Sequence, residues 1–316
     1  MSNPSGSTTY VKYKKNKHRD RFKLFFMALP FLILCFTFSY LPLYGWIYSM
    51  FDYRPPFKLY QCDFVGLKWI TSIVTNSAYR NAIGDVLRNT FAISGLNLLT
   101  SVLPLTFAVF LNEIKRGWFK RIVQVLTTLP NFISWVLVYS VAYVFFSTGD
   151  GVVNKILMNM HLISSPINFL ASDNHTWLTM TLWSLWKTLG WSAIMYLAAI
   201  AGIDQELYEA AKVDGAGRFR MMWNITVPSL LPTFFVLLML SVANFLNNGL
   251  DQYYVFQNAM NKAHIQVLDL YVYNIGVGSM NFPLATAVSM LKSIVSIALL
   301  FTVNGVSKLL RGETIV

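Results

Sequence analysis

None of the chain's polar residues are spaced for breaking bonds. Gly-x-x-x-x-Gly-Lys-Ser/Thr, His-Glu-x-x-His and Gly-x-Ser-x-Gly are all missing, so no phosphate cradle, zinc pair or nucleophile elbow is written here. The four histidines (His18, His161, His175, His264) are scattered and read as loop residues. Cys35, in an apolar run, and Cys62, in a loop, make neither a disulfide framework nor a metal site. What remains is recognition chemistry. Asn244, Asn247, Asn248, Asp251 and Gln252 cluster where an apolar run ends. Planar amides and carboxylates hydrogen-bond hydroxyl-rich solutes, and Trp183 and Trp186 offer aromatic faces for their C–H surfaces. The alternative is that the polar cluster merely caps a helix end near the surface.

Two lysines stand inside apolar runs. Lys187 is about ten residues from either end of its run, about 15 Å deep at 1.5 Å per residue, too far for a lysine to snorkel. A charge there costs roughly 2.5–3.5 kcal/mol, so it must face the interior or a wet cavity. Lys292 sits nearer an end. No Asp or Glu falls in any of the apolar runs, so neither lysine is expected to have an acidic partner within the spans. Backbone carbonyls or another chain's carboxylate, cavity water, or the carboxylate of an acidic sugar are the open readings.

Residues 204–228 hold seven charged residues deep in the chain. Asp204 is placed to cap a helix, Leu207 to Val213 reads as about two helical turns, and Gly215 can turn left-handed to end it. A second short amphipathic helix follows, with Phe219, Met222 and Trp223 on one side. Pro228 is then expected at the first turn of a new helix, where its missing N–H costs nothing.

The elements that must carry these residues are membrane spans. Of 316 residues, 55% are hydrophobic and 12% charged, half the usual charged share of soluble domains, and mean hydropathy is +0.49. A bilayer-crossing helix needs about 20 apolar residues. Six runs qualify, at about 22–48, 86–111, 122–146, 177–200, 228–247 and 284–306, the first with a bend expected at Pro42. The piece from Val152 to Leu162 is too short to cross. The formal charge of +11 is not a nucleic-acid groove: 16 Lys/Arg fall in the tail and loops on one side of the spans and 6 in those on the other. The richer side is cytoplasmic by the positive-inside rule, which places both termini and the 204–228 loop in the cytosol. The basic tail, residues 1–21, is suited to touch anionic membrane lipid. Residues 22–85 hold the first span and an aromatic outer loop, and 86–316 the remaining core.

Glu209-Ala210-Ala211, three residues, Gly215, nine residues, Ile225, one residue and Val227-Pro228 resembles the EAA loop of binding-protein-dependent ABC importer permeases. Asp214 and Gly215 fall at family positions, while Val227 replaces the usual Leu. Arg88-Asn89-Thr90-Phe91 is similar to the opening of the family's transmembrane core. Trp186-Lys187-Thr-Leu-Gly190-Trp191, Tyr196 to Ile200, Tyr271-Val-Tyr273 and Gly312-Glu313 resemble the carbohydrate-uptake branch that includes the maltose-type permeases, and within it the permeases of Gram-positive bacteria.

The resemblance implies an all-α, six-span permease of the type I fold that imports oligosaccharides. It implies a second homologous permease, two ATP-binding cassette subunits that bind ATP and Mg in place of this chain, and an extracellular or periplasmic solute-binding protein. Small Ala210 and Ala211 would let the helix lie in a groove of the ATPase, Glu209 would pair with a basic residue there, and Gly215 would set the corner. Trp183, Trp186, Lys187, Asn244, Asn248, Asp251, Gln252 and Lys292 are the expected substrate contacts. A peptide or amino-acid importer shares the EAA loop and stays open, as does a membrane sensor without transport.

Overall fold

A computed structural model describes residues 17–171 and 173–311. The basic tail up to Asn16 and the terminal Gly312-Glu313 lie outside them. The chain falls into two units that divide between Tyr48 and Ser49. Helices make up nearly all of it; among the described residues the only β pairing is a single antiparallel bridge between Phe51 and Phe64.

The first unit holds α1 (Lys17–Cys35), a π turn (Phe36–Tyr40) and all but the last two residues of a 3-10 segment, Leu41–Met50. The change of hydrogen bonding comes at Phe36, ahead of the bend expected at Pro42. The Leu41 N–H reaches back to the Phe36 carbonyl, a one-residue slip just before the proline, whose ring cannot serve the normal ladder.

In the second unit, α2 (Lys68–Thr75) leads to α3 (Ser77–Thr100), which Asn76 caps by accepting the Ala78 N–H at 2.9 Å. With α4 (Val102–Asn112) it makes one apolar stretch of 36 residues. The run expected to cross at 122–146 is broken. α5 (Gly117–Thr128) and α6 (Trp135–Phe146) meet at 109° across a 3-10 turn at Leu129–Phe132. Pro130 interrupts the ladder, and Ser134 starts the new helix by accepting the Leu137 N–H. α7 (Val152–Asn159) is short, as its length predicts.

α8 (Thr176–Ala201), 26 residues and about 39 Å long, is the central post. Buried residues on α3, α6 and α8 pack at one end (Ile93, Val138, Met180), and on α4, α8 and the segment after it at the other (Ala108, Ala193, Tyr196, Leu230). Close backbone approach, the usual source of helix association in lipid, is extreme at Gly190: a Cβ there would lie 2.3 Å from the backbone of Thr127.

After α9 (Gln205–Val213) come α10 (Arg218–Met221), a π turn (Met222–Thr226) and α11 (Val227–Ala243). These last three run on as one helical rod of 26 residues, and Pro228 stands in the first turn of α11, as expected. Its missing N–H is absorbed as at Pro42: the Val227 N–H bonds the Met222 carbonyl, and the ladder slips past the ring. The stretch expected as an outer loop, 248–283, instead holds α12 (Asp251–Phe256), α13 (Lys262–Ile265) and α14 (Leu268–Tyr273). They bury Tyr253, Phe256, Ile265 and Leu270 in the core. α15 (Phe282–Arg311) closes the unit.

Among the described residues, four stretches are long and apolar enough to cross a membrane, and the bent α5–α6 pair makes a fifth. α8 has the length, but Lys187 and its tryptophans dilute its apolarity.

Candidate functional site

α9 is built by its ends. Asp204 accepts the Glu206 N–H at 3.0 Å, satisfying one of the helix's free first-turn donors. At the other end Gly215 takes φ +72°; its N–H bonds the Lys212 carbonyl at 3.1 Å, and the Ala216 N–H bonds that of Ala211 at 2.8 Å. That double bond is a Schellman stop, which favours glycine. Glu206 in the first turn and Lys212 in the last oppose the helix dipole.

No residue of α9 is buried. Glu209, Ala210, Asp214 and Gly215 are exposed and Ala211 is half-buried. Val213, Phe219 and Trp223 are 88%, 78% and 74% exposed, an apolar set of the kind that marks a partner surface. Ile225 lies half-buried in the π turn and Pro228 is exposed just beyond it. The knob is tied to the rod by the Tyr208 hydroxyl, 2.9 Å from Thr226 Oγ1. Sequence reasoning missed this link, which joins residues 18 apart across the Gly215 corner.

The expected substrate contacts do not form one surface. Lys187 is buried, and its ammonium donates to the carbonyls of Pro130 at 3.1 Å and Asn131 at 2.7 Å, with the Trp135 ring 5.5 Å away. The backbone-carbonyl reading is therefore the one realised: the Pro130 carbonyl also accepts the Ile133 N–H at 3.3 Å, and at Asn131 the α5–α6 break leaves the lysine to supply the donor. Lys292 does have an acidic partner. It bonds Asp269 of α14, which was hidden because that segment reads as loop. Trp183 and Trp186 turn to a separate apolar pocket of about 470 Å³ with Phe145, Phe169 and Leu182. Gln252 is buried and donates to the Met180 carbonyl at 2.7 Å. Asn248 donates to Ser94 Oγ at 2.8 Å, and Asp251 opens α12, exposed.

Of the set, Asn244 alone reaches a partly polar cavity of about 540 Å³ between α3, α8 and α11. Asn97, Thr100 and Ser101 line it from α3 and its end, Ser184, Thr188, Ser192 and Tyr196 from α8, and Ser241 with Asn244 from α11. The signal was available: Ser184, Thr188, Ser192 and Tyr196 recur every fourth residue, one polar stripe on a helix. Several of these hydroxyls donate to their own helix, Thr188 to Ser184 O at 2.8 Å, Ser241 to Leu237 O at 2.9 Å and Thr100 to Leu96 O at 3.0 Å. Their oxygens keep free lone pairs, so the wall presents acceptors. None of its lining residues is charged. Such an uncharged lining can accept hydrogen bonds from a hydroxyl-bearing group.

Residues 100–311, more than half of the chain, match the model of the family described as binding-protein-dependent transport system inner membrane component. The chain is 37% identical over 291 residues to protein LplB of Bacillus subtilis, covering 92% of this chain and 89% of the relative. It is 35% identical over 293 residues, with the same coverages, to the polygalacturonan/rhamnogalacturonan transport system permease protein YteP of that organism. Among solved structures it is similar to a bacterial ABC transporter involved in the import of the acidic polysaccharide alginate, with a TM-score of 0.81 at 27% identity over 93% of this chain and 98% of that one. A second crystal structure, of the bacterial alginate ABC transporter in complex with alginate pentasaccharide-bound periplasmic protein, gives 0.82 at 28%, over 94% and 98%. The matched region contains the exposed α9 corner and most of the polar cavity, and the chain belongs to the binding-protein-dependent transport system inner membrane component family, with the type I permease fold of ABC importers.

Proposed function

We propose that this chain is one permease subunit of an ABC importer that carries oligosaccharides, uronate-containing ones in particular, into a bacterial cell. The observation that carries the reading is one of connectivity. The exposed α9 foot joins α8 directly to the α10–α11 rod, and α8 and α11 supply two of the three walls of the hydroxyl-lined cavity. A displacement of the foot is passed to the cavity walls through the same two helices.

Three helices wall one side of a path through a membrane. A second homologous permease closes the other, and two ATP-binding cassette subunits, which hold ATP and Mg, grip the two feet. The exposed Leu207, Val213, Phe219 and Trp223 offer that grip its apolar area. The excess of Lys/Arg on the foot's side of the spans supports a cytosolic place for the foot and both termini. A solute-binding protein delivers sugar from outside, as the partner named in the alginate complex suggests. Closure of the ATPases on ATP draws the feet together and turns the cavity outward; hydrolysis restores the inward state.

The acidic-sugar reading rests on what the similar proteins are named for, pectin-derived and alginate polymers. In this chain both membrane lysines are already partnered, so its cavity reads hydroxyls, and the carboxylates are met by other subunits. The names of those similar proteins also favour a saccharide over a peptide cargo.

The test is ATP-dependent uptake by proteoliposomes holding the complete importer and its binding protein. Trigalacturonate accumulation that maltotriose scarcely competes supports the reading. Equal uptake of both removes the acidic preference, and co-purification without a P-loop ATPase removes the importer.

A further inference from the structure

Between α11 and α12 the chain runs from Asn244 to Leu250 without helix. This loop carries the Asn244 amide that lines the polar cavity, and its own backbone must be held by something. On one side Asn248 donates to Ser94 Oγ at 2.8 Å, and that hydroxyl donates to the Phe245 carbonyl at 2.6 Å, which pins the loop to α3. On the other side Gly249, left-handed at φ +81°, donates its N–H to Asp269 Oδ2 at 3.0 Å. The second oxygen of the same carboxylate accepts the Lys292 ammonium of α15. One carboxylate thus divides its two oxygens between a helix and a loop.

The link continues to the cavity. The Asn247 N–H bonds the Asn244 carbonyl at 2.8 Å, and the Asn247 amide donates to Asn244 Oδ1 at 3.4 Å. Asn247, Asp269 and Lys292 share a small polar pocket of about 340 Å³ with Ser289, Ser293 and Ser296. The lysine and aspartate side chains are 14% and 22% exposed, so the pair is largely withdrawn from solvent.

We propose that Asp269 is a positioning residue for transport: its Oδ2 fixes the Gly249 turn and so, with the Leu240 carbonyl that accepts from the Asn244 amide at 3.0 Å, aims Asn244 into the cavity. What matters to the loop is an oxygen at that place; Lys292 balances its charge, and the pair does not bind cargo charge. The effect on uptake rests on the oligosaccharide reading above, and the effect on the loop does not. The competing account is that the two charges only neutralise each other.

Two variants of the complete importer separate the accounts, because each keeps what the other removes. Asp269→Glu keeps the ion pair and carries the carboxylate one methylene away from Gly249. Asp269→Asn with Lys292→Met removes both charges and keeps an oxygen for the Gly249 N–H. Hydrogen exchange of the peptide spanning 244–250, read by mass spectrometry in nanodiscs, should rise about fivefold to tenfold in Asp269→Glu, the worth of one hydrogen bond. It should stay near wild type in the double variant. With trigalacturonate as the probe, Asp269→Glu should raise KM with little change in maximal rate, and the double variant should not. Unchanged exchange in Asp269→Glu, or a loop loosened as much in the double variant, overturns the proposal. If wild type takes up no trigalacturonate, the cargo reading fails while the exchange arm still decides the positioning claim.

Discussion

Lys187 Nζ and the Asn131 carbonyl oxygen lie 2.7 Å apart, and they join the middle of α8 to the break between α5 and α6. The lysine acts as a cap for a helix that is not its own. At the 109° bend it supplies a donor to the Asn131 carbonyl and a second one to the Pro130 carbonyl, which the Ile133 N–H also reaches.

Lys187→Met should therefore act on folding and leave cargo charge unread. Leaving a buried acceptor unsatisfied costs about 1–3 kcal/mol, so the amount of assembled permease in membranes should fall. Uptake per assembled importer should drop equally for trigalacturonate and a neutral trisaccharide. A selective loss of the acidic cargo would restore the idea that Lys187 contacts substrate.

Gly190→Ala should destabilise the α5–α8 crossing by about 1–3 kcal/mol, the range for overpacking. The new Cβ meets backbone atoms of Thr127 and Thr128, which cannot rotate aside as a side chain would. Thermal unfolding in detergent should show a lower midpoint than wild type, whereas Gly84→Ala, with open space around it, should not.

Gly215→Val should uncouple ATP hydrolysis from uptake while the protein still inserts. Left-handed backbone costs a residue with a Cβ about 1–2 kcal/mol, and a β-branched one more, so the Schellman stop opens and the foot loses its corner. Glu209→Lys should uncouple too, by reversing a charge on the exposed face. Importers carrying either variant should hydrolyse ATP without accumulating sugar; normal transport in both would sink the coupling role of α9.

Tyr208→Phe and Thr226→Val each delete the 2.9 Å link between foot and rod. Either should lower sugar moved per ATP, and the double variant should be no worse than the more severe single one, since a shared bond is lost once. Additive losses would show that the two residues act separately.

The coupling segment was legible because its signals are local. A capping aspartate, two helical turns and a glycine stop lie within a dozen residues, and α9 follows them. What escaped reading depends on contacts across the fold. The bend at Leu129–Ser134 looks like one apolar run, since Pro130 can kink a helix or end it. Asp269 reads as a loop acid until α14 packs beside α15. The π turns before Pro42 and Pro228 are invisible because a proline shows that a hydrogen bond is lost and not how the ladder recovers. The cavity wall is quiet for a different reason: it holds no charge, and serine and threonine at every fourth position carry its polar stripe.

That wall has a kinetic corollary. Each hydroxyl already tethered to its own helix contributes a lone pair and no ionic grip, and exchanging water for one such contact gains only about 0.5–1.5 kcal/mol. On the proposed path, a sugar moving along α8 would meet a ladder of shallow rungs with no deep trap among them, and would be let go on the inner side as readily as it is taken up on the outer.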